Sequence, residues 1–304
     1  GTTDGLTPLD SAEFYDATAD SWSATGSLGI ARSNAMAVRL GDGTVLVAGG
    51  TGTFAPLDSA ELYDPASGTF SVTGTMTAAR TGATAIELGD DTVLVAGGMG
   101  TSTALASAEL YDRAAGTFAT TGSLATARRD PSAVLLGDGT VLIAGGSDAG
   151  GNTLSSCELY DPATGTFAAT GAMGAARAKA AAVRLRDGTV LIVGGGGTLT
   201  PMATAELYDP ATGTWSATAG SLLVARNTPG VALLADGSVL IAGGTTGLLT
   251  ALDSAEVYDV TAGTFAAVAA MTATRSAPHC VTLSLTGRVL VVGADTTASA
   301  ELFR

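Results

Sequence analysis

The chain has 304 residues, 46% of them hydrophobic, with a formal net charge of −14 and a single histidine. So acidic a composition leaves no basic patch for phosphates, which excludes nucleic acid and anionic membrane surfaces as expected partners. No apolar run approaches the roughly 18 residues of a membrane-spanning helix, so membrane insertion is not expected.

Gly1–Asp10, GTTDGLTPLD, matches Gly244–Asp253, GTTGLLTALD, so the chain enters a repeat just past where a second strand ends. There is no initiator Met or signal peptide, and Gly1 reads as a processed terminus. Ser11–Thr25 then supplies a third and a fourth strand. The full pattern follows at Asp42–Phe70, DGTVLVAGGTGTFAPLDSAELYDPASGTF, and returns at Asp138–Phe167 and Asp187–Trp215. An arginine recurs at Arg32, Arg80, Arg128, Arg177, Arg226 and Arg275, in steps of 48, 48, 49, 49 and 49. Fixed spacing of this kind is the signature of a repeat architecture.

Each unit holds four candidate strands. An apolar stretch such as Ala133–Leu136 comes first, then a Gly-Asp-Gly turn whose residues tolerate the dihedrals of a tight hairpin. The second strand, such as Val141–Ala144, is continuously apolar, as expected when both faces are buried. The third, such as Ser59–Tyr63, is less apolar and is expected to have a wetter face. Asp64-Pro65-Ala66-Ser67-Gly68 turns the chain into a fourth strand that starts near Phe70, whose ring can cover its hairpin partner. Glycines and β-branched residues interrupt every window that could hold an amphipathic helix.

Four antiparallel strands in about 50 residues make a propeller blade. Five complete blades fall at roughly 33–73, 81–121, 129–170, 178–218 and 227–268, and a sixth at 276–304 is completed by 1–25. The reading is one domain over 1–304, an all-β six-bladed propeller of four-stranded antiparallel blades. Its ring is expected to close through N- and C-terminal strands sharing one composite blade. The chain has seven copies of the third strand, so Ser11–Tyr15 and Ser299–Phe303 compete for one place. The short connection at 295–298 favours the C-terminal copy beside its own second strand. Ser21–Thr25 then serves as the fourth strand, and Ser11–Tyr15 is left as a fifth, or pairs with another molecule.

The runs DGTVLVAGG at Asp42–Gly50 and AELYDPATGTW at Ala205–Trp215, with the "AR" before each first strand, resemble those of bacterial kelch-repeat proteins. The resemblance covers essentially the whole chain and implies a kelch-type propeller. Kelch propellers serve many unrelated roles, so it implies little about activity.

Arg32, Arg80, Arg128, Arg177, Arg226 and Arg275 recur alongside a third-strand glutamate, at Glu13, Glu61, Glu109, Glu158, Glu206, Glu256 and Glu301, and the two are expected to pair. Such recurrence in every blade is expected of structural ion pairs rather than of a ligand site. Asp42, Asp90, Asp91, Asp138, Asp187 and Asp236 sit in hairpin turns, too dispersed to give calcium the six to eight oxygens it needs. No metal or cofactor is expected: copper oxidases of the galactose-oxidase type share the kelch fold but need two histidines, and this chain has only His279. His279 is read as a packed residue on a buried strand. Cys157 and Cys280 lie in different blades and are expected to be free thiols. Arg39 and Glu87 occupy one repeat position on adjacent blades and are expected to form an ion pair.

Binding residues are sought where the repeat breaks its own rule, just after each repeated arginine and along the loops joining second and third strands. This selects Asn34, Arg129, Asp130, Lys179, Asn227 and His279 at the mouth of the channel. The expected function is a non-enzymatic propeller for binding or assembly, outside the cell or on a bacterial cell surface, with a protein or glycan ligand. The alternatives are a homo-oligomer subunit that pairs through its surplus strand and a sialidase- or lyase-like enzyme acting on carbohydrate.

Overall fold

A computed structural model of the chain describes residues 1–2, 7–197, 200–247, 250–283, 286–293 and 299–303. Every regular element among them is a strand. The chain clusters into two compact units: Gly1–Ile143 with Ser147–Gly151 and Glu158–Ala169, and Ala144–Gly146 with Asn152–Cys157 and Thr170–Arg304.

The first unit opens with a two-stranded sheet of β1 (Glu13–Asp16) and β2 (Ser21–Ala24). The first blade follows, with β3 (Met36–Arg39), β4 (Val45–Ala48), β5 (Ala60–Asp64) and β6 (Thr69–Val72) side by side in chain order. The second repeats it with β7 (Thr84–Glu87), β8 (Thr92–Ala96), β9 (Ala108–Asp112) and β10 (Thr117–Thr120). The third, falling mostly in this unit, has β11 (Ser132–Leu135), β12 (Val141–Ala144), β13 (Cys157–Asp161) and β14 (Thr166–Thr170).

The second unit holds a fourth blade of β15 (Ala181–Arg184) and β16 (Val190–Val193), then, after a small hairpin of β17 (Gly196–Gly197) and β18 (Thr200–Pro201), β19 (Ala205–Asp209) and β20 (Thr214–Ala217). The fifth is β21 (Gly230–Leu233), β22 (Val239–Ala242), β23 (Ala255–Asp259) and β24 (Thr264–Ala267). The sixth sheet has three strands, β25 (His279–Thr282), β26 (Val289–Val292) and β27 (Ala300–Phe303). These six antiparallel sheets are the blades of a six-bladed β-propeller.

Burial follows the strand order. Second strands are the core: Val93, Leu94, Val95 and Ala96 are all 0% exposed, and each fully buried Val, Leu or Ile contributes about 1.5–3 kcal/mol. Third strands are drier than their composition implies, because the repeated glutamate is neutralised; Glu109 is fully buried. The wet strands are instead the fourth ones. On the third and fourth strands, Tyr63 and Phe70 stack with ring centroids 4.8 Å apart, and the same tilted pair recurs from Tyr15–Trp22 to Tyr258–Phe265.

Two expectations are corrected. β27 does pair directly with β26, and β1 folds back on β2 as expected of the surplus strand, with Tyr15 opposite Trp22, but β2 is not paired with β27 among the described strands. The described strands therefore give a three-stranded sheet and a two-stranded one in place of a composite blade. The β1–β2 hairpin is joined by four residues and closes at low entropic cost, whereas β2 and β27 would have to meet across the length of the chain. The connection at 295–298 lies outside the described residues. Secondly, no ion pair joins Arg39 to Glu87 among the described residues. Glu87 Oε1 accepts from Gly89 N at 2.8 Å and Asp91 N at 3.3 Å in its own turn. The charged link between these two blades is made by Arg113 and Asp42, 3.0 Å apart.

Candidate functional site

The repeated arginine is the anchor of each blade's loop end. Arg80 Nη1 donates to the carbonyls of Gly97 (2.8 Å) and Ser107 (3.0 Å), while Nη2 reaches Glu109 Oε1 at 2.7 Å. Glu109 also accepts from Thr77 N (2.7 Å) and Ala78 N (3.3 Å), backbone groups of the segment leading into the blade. One guanidinium thus ties together the ends of the second and third strands, and its carboxylate holds the incoming linker. Equivalent pairs join Arg32–Glu61, Arg128–Glu158, Arg177–Glu206, Arg226–Glu256 and Arg275–Glu301. All six arginines are buried, and burial lowers the pKa of Arg80 and Arg226 while the glutamate opposes the loss of charge. These guanidiniums are turned inward onto backbone carbonyls and a glutamate of their own blade. Glu13, the extra copy, is exposed.

On this frame, the second residue after each arginine takes the left-handed conformation in five blades. Asn34, Gly82, Asp130, Lys179 and Thr228 have φ of 50°, 58°, 52°, 56° and 49°. Asn, Gly and Asp enter this region readily; Lys and β-branched Thr do so at a cost. Backbone bonds hold it: Asp130 N donates to Gly82 O at 2.8 Å in the first unit, and Thr228 N to Lys179 O at 2.8 Å in the second. The position varies in side chain and is constant in geometry, so it projects a different group from each blade at one angle. Sequence divergence alone points to these residues without disclosing their shared backbone. The Asn-Gly-Asp preference in the first three blades is the legible trace of it.

The six candidate residues separate on this basis. Asn34 and Lys179 are exposed, Arg129 and Asp130 half-buried. Arg129 is bridged to Ser147 through the backbone. Asn227 is 3% exposed and is a loop brace: its backbone exchanges bonds with Thr245, and Nδ2 donates to Gly197 O at 3.1 Å. His279 is exposed on β25 rather than buried on its strand. Enough protein surrounds the ring to cost the charged form hydration, which lowers its pKa below the usual histidine range. No hydrogen bond ties it to the other five among the described residues.

A seventh residue escapes the sequence argument. Phe54, on the loop between β4 and β5, is 97% exposed. Its turn is fixed by Gly52 N donating to Ala55 O at 2.9 Å and by the Thr51–Pro56 bridge. The Ser33–Thr51 bridge and the Thr51–Thr81 hydroxyl bond, 3.0 Å, seat that loop beside the left-handed positions.

The acidic turns behave as turns. Asp42 Oδ1 accepts from Thr44 N and Oγ1, at 2.9 and 2.6 Å, which with equivalent bonds at Asp90 and Asp236 holds these carboxyls below the usual range. Among the described residues no group of three or more His, Cys, Asp or Glu side chains converges as a metal site. Neither cysteine is in a disulfide; burial pushes the Cys280 thiol up to about 12, so it is a protonated packing group.

A kelch motif model matches residues 128–173 and 177–219. No curated protein sequence matches the chain. Among solved structures, a fungal alcohol oxidase of the AA5 family, in complex with copper, superposes with TM-score 0.77 at 18% identity over 96% of this chain. This chain spans 65% of that oxidase. YjhT superposes with TM-score 0.70 at 12% identity, over 90% of this chain and 93% of that one. At such identities the likeness is one of fold alone. The chain carries kelch motifs on a six-bladed β-propeller.

Proposed function

We propose that this protein is a non-catalytic binding propeller whose loop ends take a protein or glycan ligand outside the cell. The observation that carries the reading is Phe54, a fully solvent-exposed aromatic on a hydrogen-bonded turn. A rigid exposed ring gives a large contact area at low entropic cost, which is how protein and sugar-ring partners are commonly anchored. In the same unit as Phe54, the variable left-handed residues Asn34 and Asp130 and the adjacent Arg129 supply polar contacts that differ from blade to blade; Lys179 holds the matching position in the second unit. The acidic composition with one lysine supports an extracellular or cell-surface setting.

Immobilised neutral, sialylated and uronic-acid glycans, with mass spectrometry of whatever is eluted, test the reading. Retention of intact glycan, at least tenfold weaker in Phe54→Ala at unchanged melting temperature, is the expected result. Time-dependent product formation abolished by His279→Ala would replace it with an enzyme. A second reading, assembly of copies by strand pairing, is favoured by β27, which has no fourth strand beside it in its sheet among the described residues. Light scattering across a concentration series distinguishes a monomer from such an assembly.

A further inference from the structure

At their turn ends, the first two blades of the first unit are joined by a guanidinium. Arg113, on the turn after β9, places Nη2 3.0 Å from Asp42 Oδ2, and its Nε donates to Thr44 Oγ1 at 3.3 Å. Asp42 can accept it because its turn uses only Oδ1. The fourth and fifth blades, in the second unit, share the aspartate of this arrangement without the arginine. Asp187 stands at the Asp42 position, its Oδ1 accepting from Thr189 N at 3.0 Å and Oγ1 at 2.7 Å. Its Oδ2 has no hydrogen-bond partner among the described residues. At the Arg113 position stands Val260, which has no side-chain donor; the third and fourth blades carry Pro162 and Pro210 there.

A cavity of about 530 Å³ opens at this place, lined by Asp187, Asp236, Asp259, Arg186, Val257 and Val260 among others. That volume lies in the range of small-ligand pockets. Arg186 does not fill the vacancy: its Nη2 donates to Ala235 O at 2.5 Å, across the neighbouring hairpin. Three carboxylates against one guanidinium leave the lining with a formal charge of −2, on a protein whose net charge of −14 draws cations to it. Val257 and Val260 offer apolar wall to an alkyl stem.

We propose that this cavity binds a ligand bearing a guanidinium on an aliphatic stem, seated against Asp187 as Arg113 is seated against Asp42. The site is distinct from the loop-end surface, so its failure would leave that reading intact. Calorimetric titration with agmatine and with N-acetyl-arginine amide tests it, alongside N-acetyl-citrulline amide, which keeps the shape without the charge. Saturable binding of agmatine is expected, weakened at least tenfold in Asp187→Asn and in Val260→Arg, where the protein's own guanidinium would occupy the place. Equal binding of both cations identifies a side chain of a protein as the natural source; binding of agmatine alone identifies a free small cation. No saturable binding by the wild type, undiminished binding in Val260→Arg, or equal binding of the citrulline compound would overturn the proposal. Thermal melts of both variants at or above the wild-type temperature establish that they are folded.

Discussion

Lys179 and Thr228 hold a backbone conformation that neither residue favours, and their surroundings differ in a way that substitution can expose. Lys179, exposed at φ 56°, has only its carbonyl engaged by Thr228 N, so Lys179→Gly removes the steric cost and little else. A gain of up to about 1 kcal/mol is expected in chemical denaturation. Thr228→Gly should gain nothing measurable, because Thr228 Oγ1 also donates to Ser276 O at 2.6 Å. Tyr258 offers a second repair. In four other blades or half-blades the matching tyrosine hydroxyl meets a threonine, as Tyr111 meets Thr73 at 2.7 Å and Tyr208 meets Thr170 at 2.8 Å. Tyr258 Oη is buried without a partner among the described residues, because one added residue leaves Ala219 against Gly263 and sends Thr218 Oγ1 to Gly220 O. Ala219→Thr should return the missing hydroxyl and raise stability by about 1 kcal/mol, read as a higher melting temperature. In the sixth blade both members are absent, with Phe303 for the tyrosine and Val268 for the threonine.

Blades differ in how firmly the clamp is made. Arg80 and Glu109 have fully buried side chains 2.7 Å apart, whereas Glu301 is 21% exposed and 3.3 Å from Arg275. Removing one member of a buried pair leaves the other charge unsolvated, at a cost of about 3–5 kcal/mol. Arg80→Ala should therefore destabilise by that order, with any ligand affinity of the folded fraction unchanged. Arg275→Ala should cost less, since water can reach Glu301. Equal losses, measured by urea unfolding of both variants, would show that exposure of the glutamate does not set the clamp's strength. The pairing of β1 with β2 and of β27 with β26 belongs to the same comparison, since each joins strands that are near in sequence.

Across the whole chain, charge sets the response to pH. Asp42, Asp64, Asp90 and Asp236 have depressed carboxyl pKa values, each chiefly through a hydrogen bond within its own turn. At Glu301, desolvation pulls upward, but bonds from Thr272, Ala273 and Arg275 outweigh it and the net shift is down. A folded pKa below the unfolded one stabilises above the unfolded value, near 4 for carboxylates, and that contribution is lost as pH falls through the folded value. The melting temperature should hold down to about pH 5 and fall steadily between about pH 4 and pH 2. A melting temperature that instead rises through that window would show that relief of repulsion among 28 acidic residues outweighs the turn bonds.

The repeat spacing, the apolar second strands and the turn residues were sufficient to read the blades, because period-2 strands and tight turns are local properties of the chain. The Arg–Glu clamp was legible for a related reason: a charge recurring in six copies requires a counter-charge recurring with it. Other features depended on contacts distant in sequence. Whether Asp42 pairs with Arg113, and Arg39 with nothing among the described residues, was decided by how turns of adjacent blades approach one another. The exposure of Phe54 and His279, the left-handed backbone shared by unlike residues, and the cavity beside Asp187 arise the same way. Each is set by the packing of neighbouring blades, which composition and spacing do not encode at any single position.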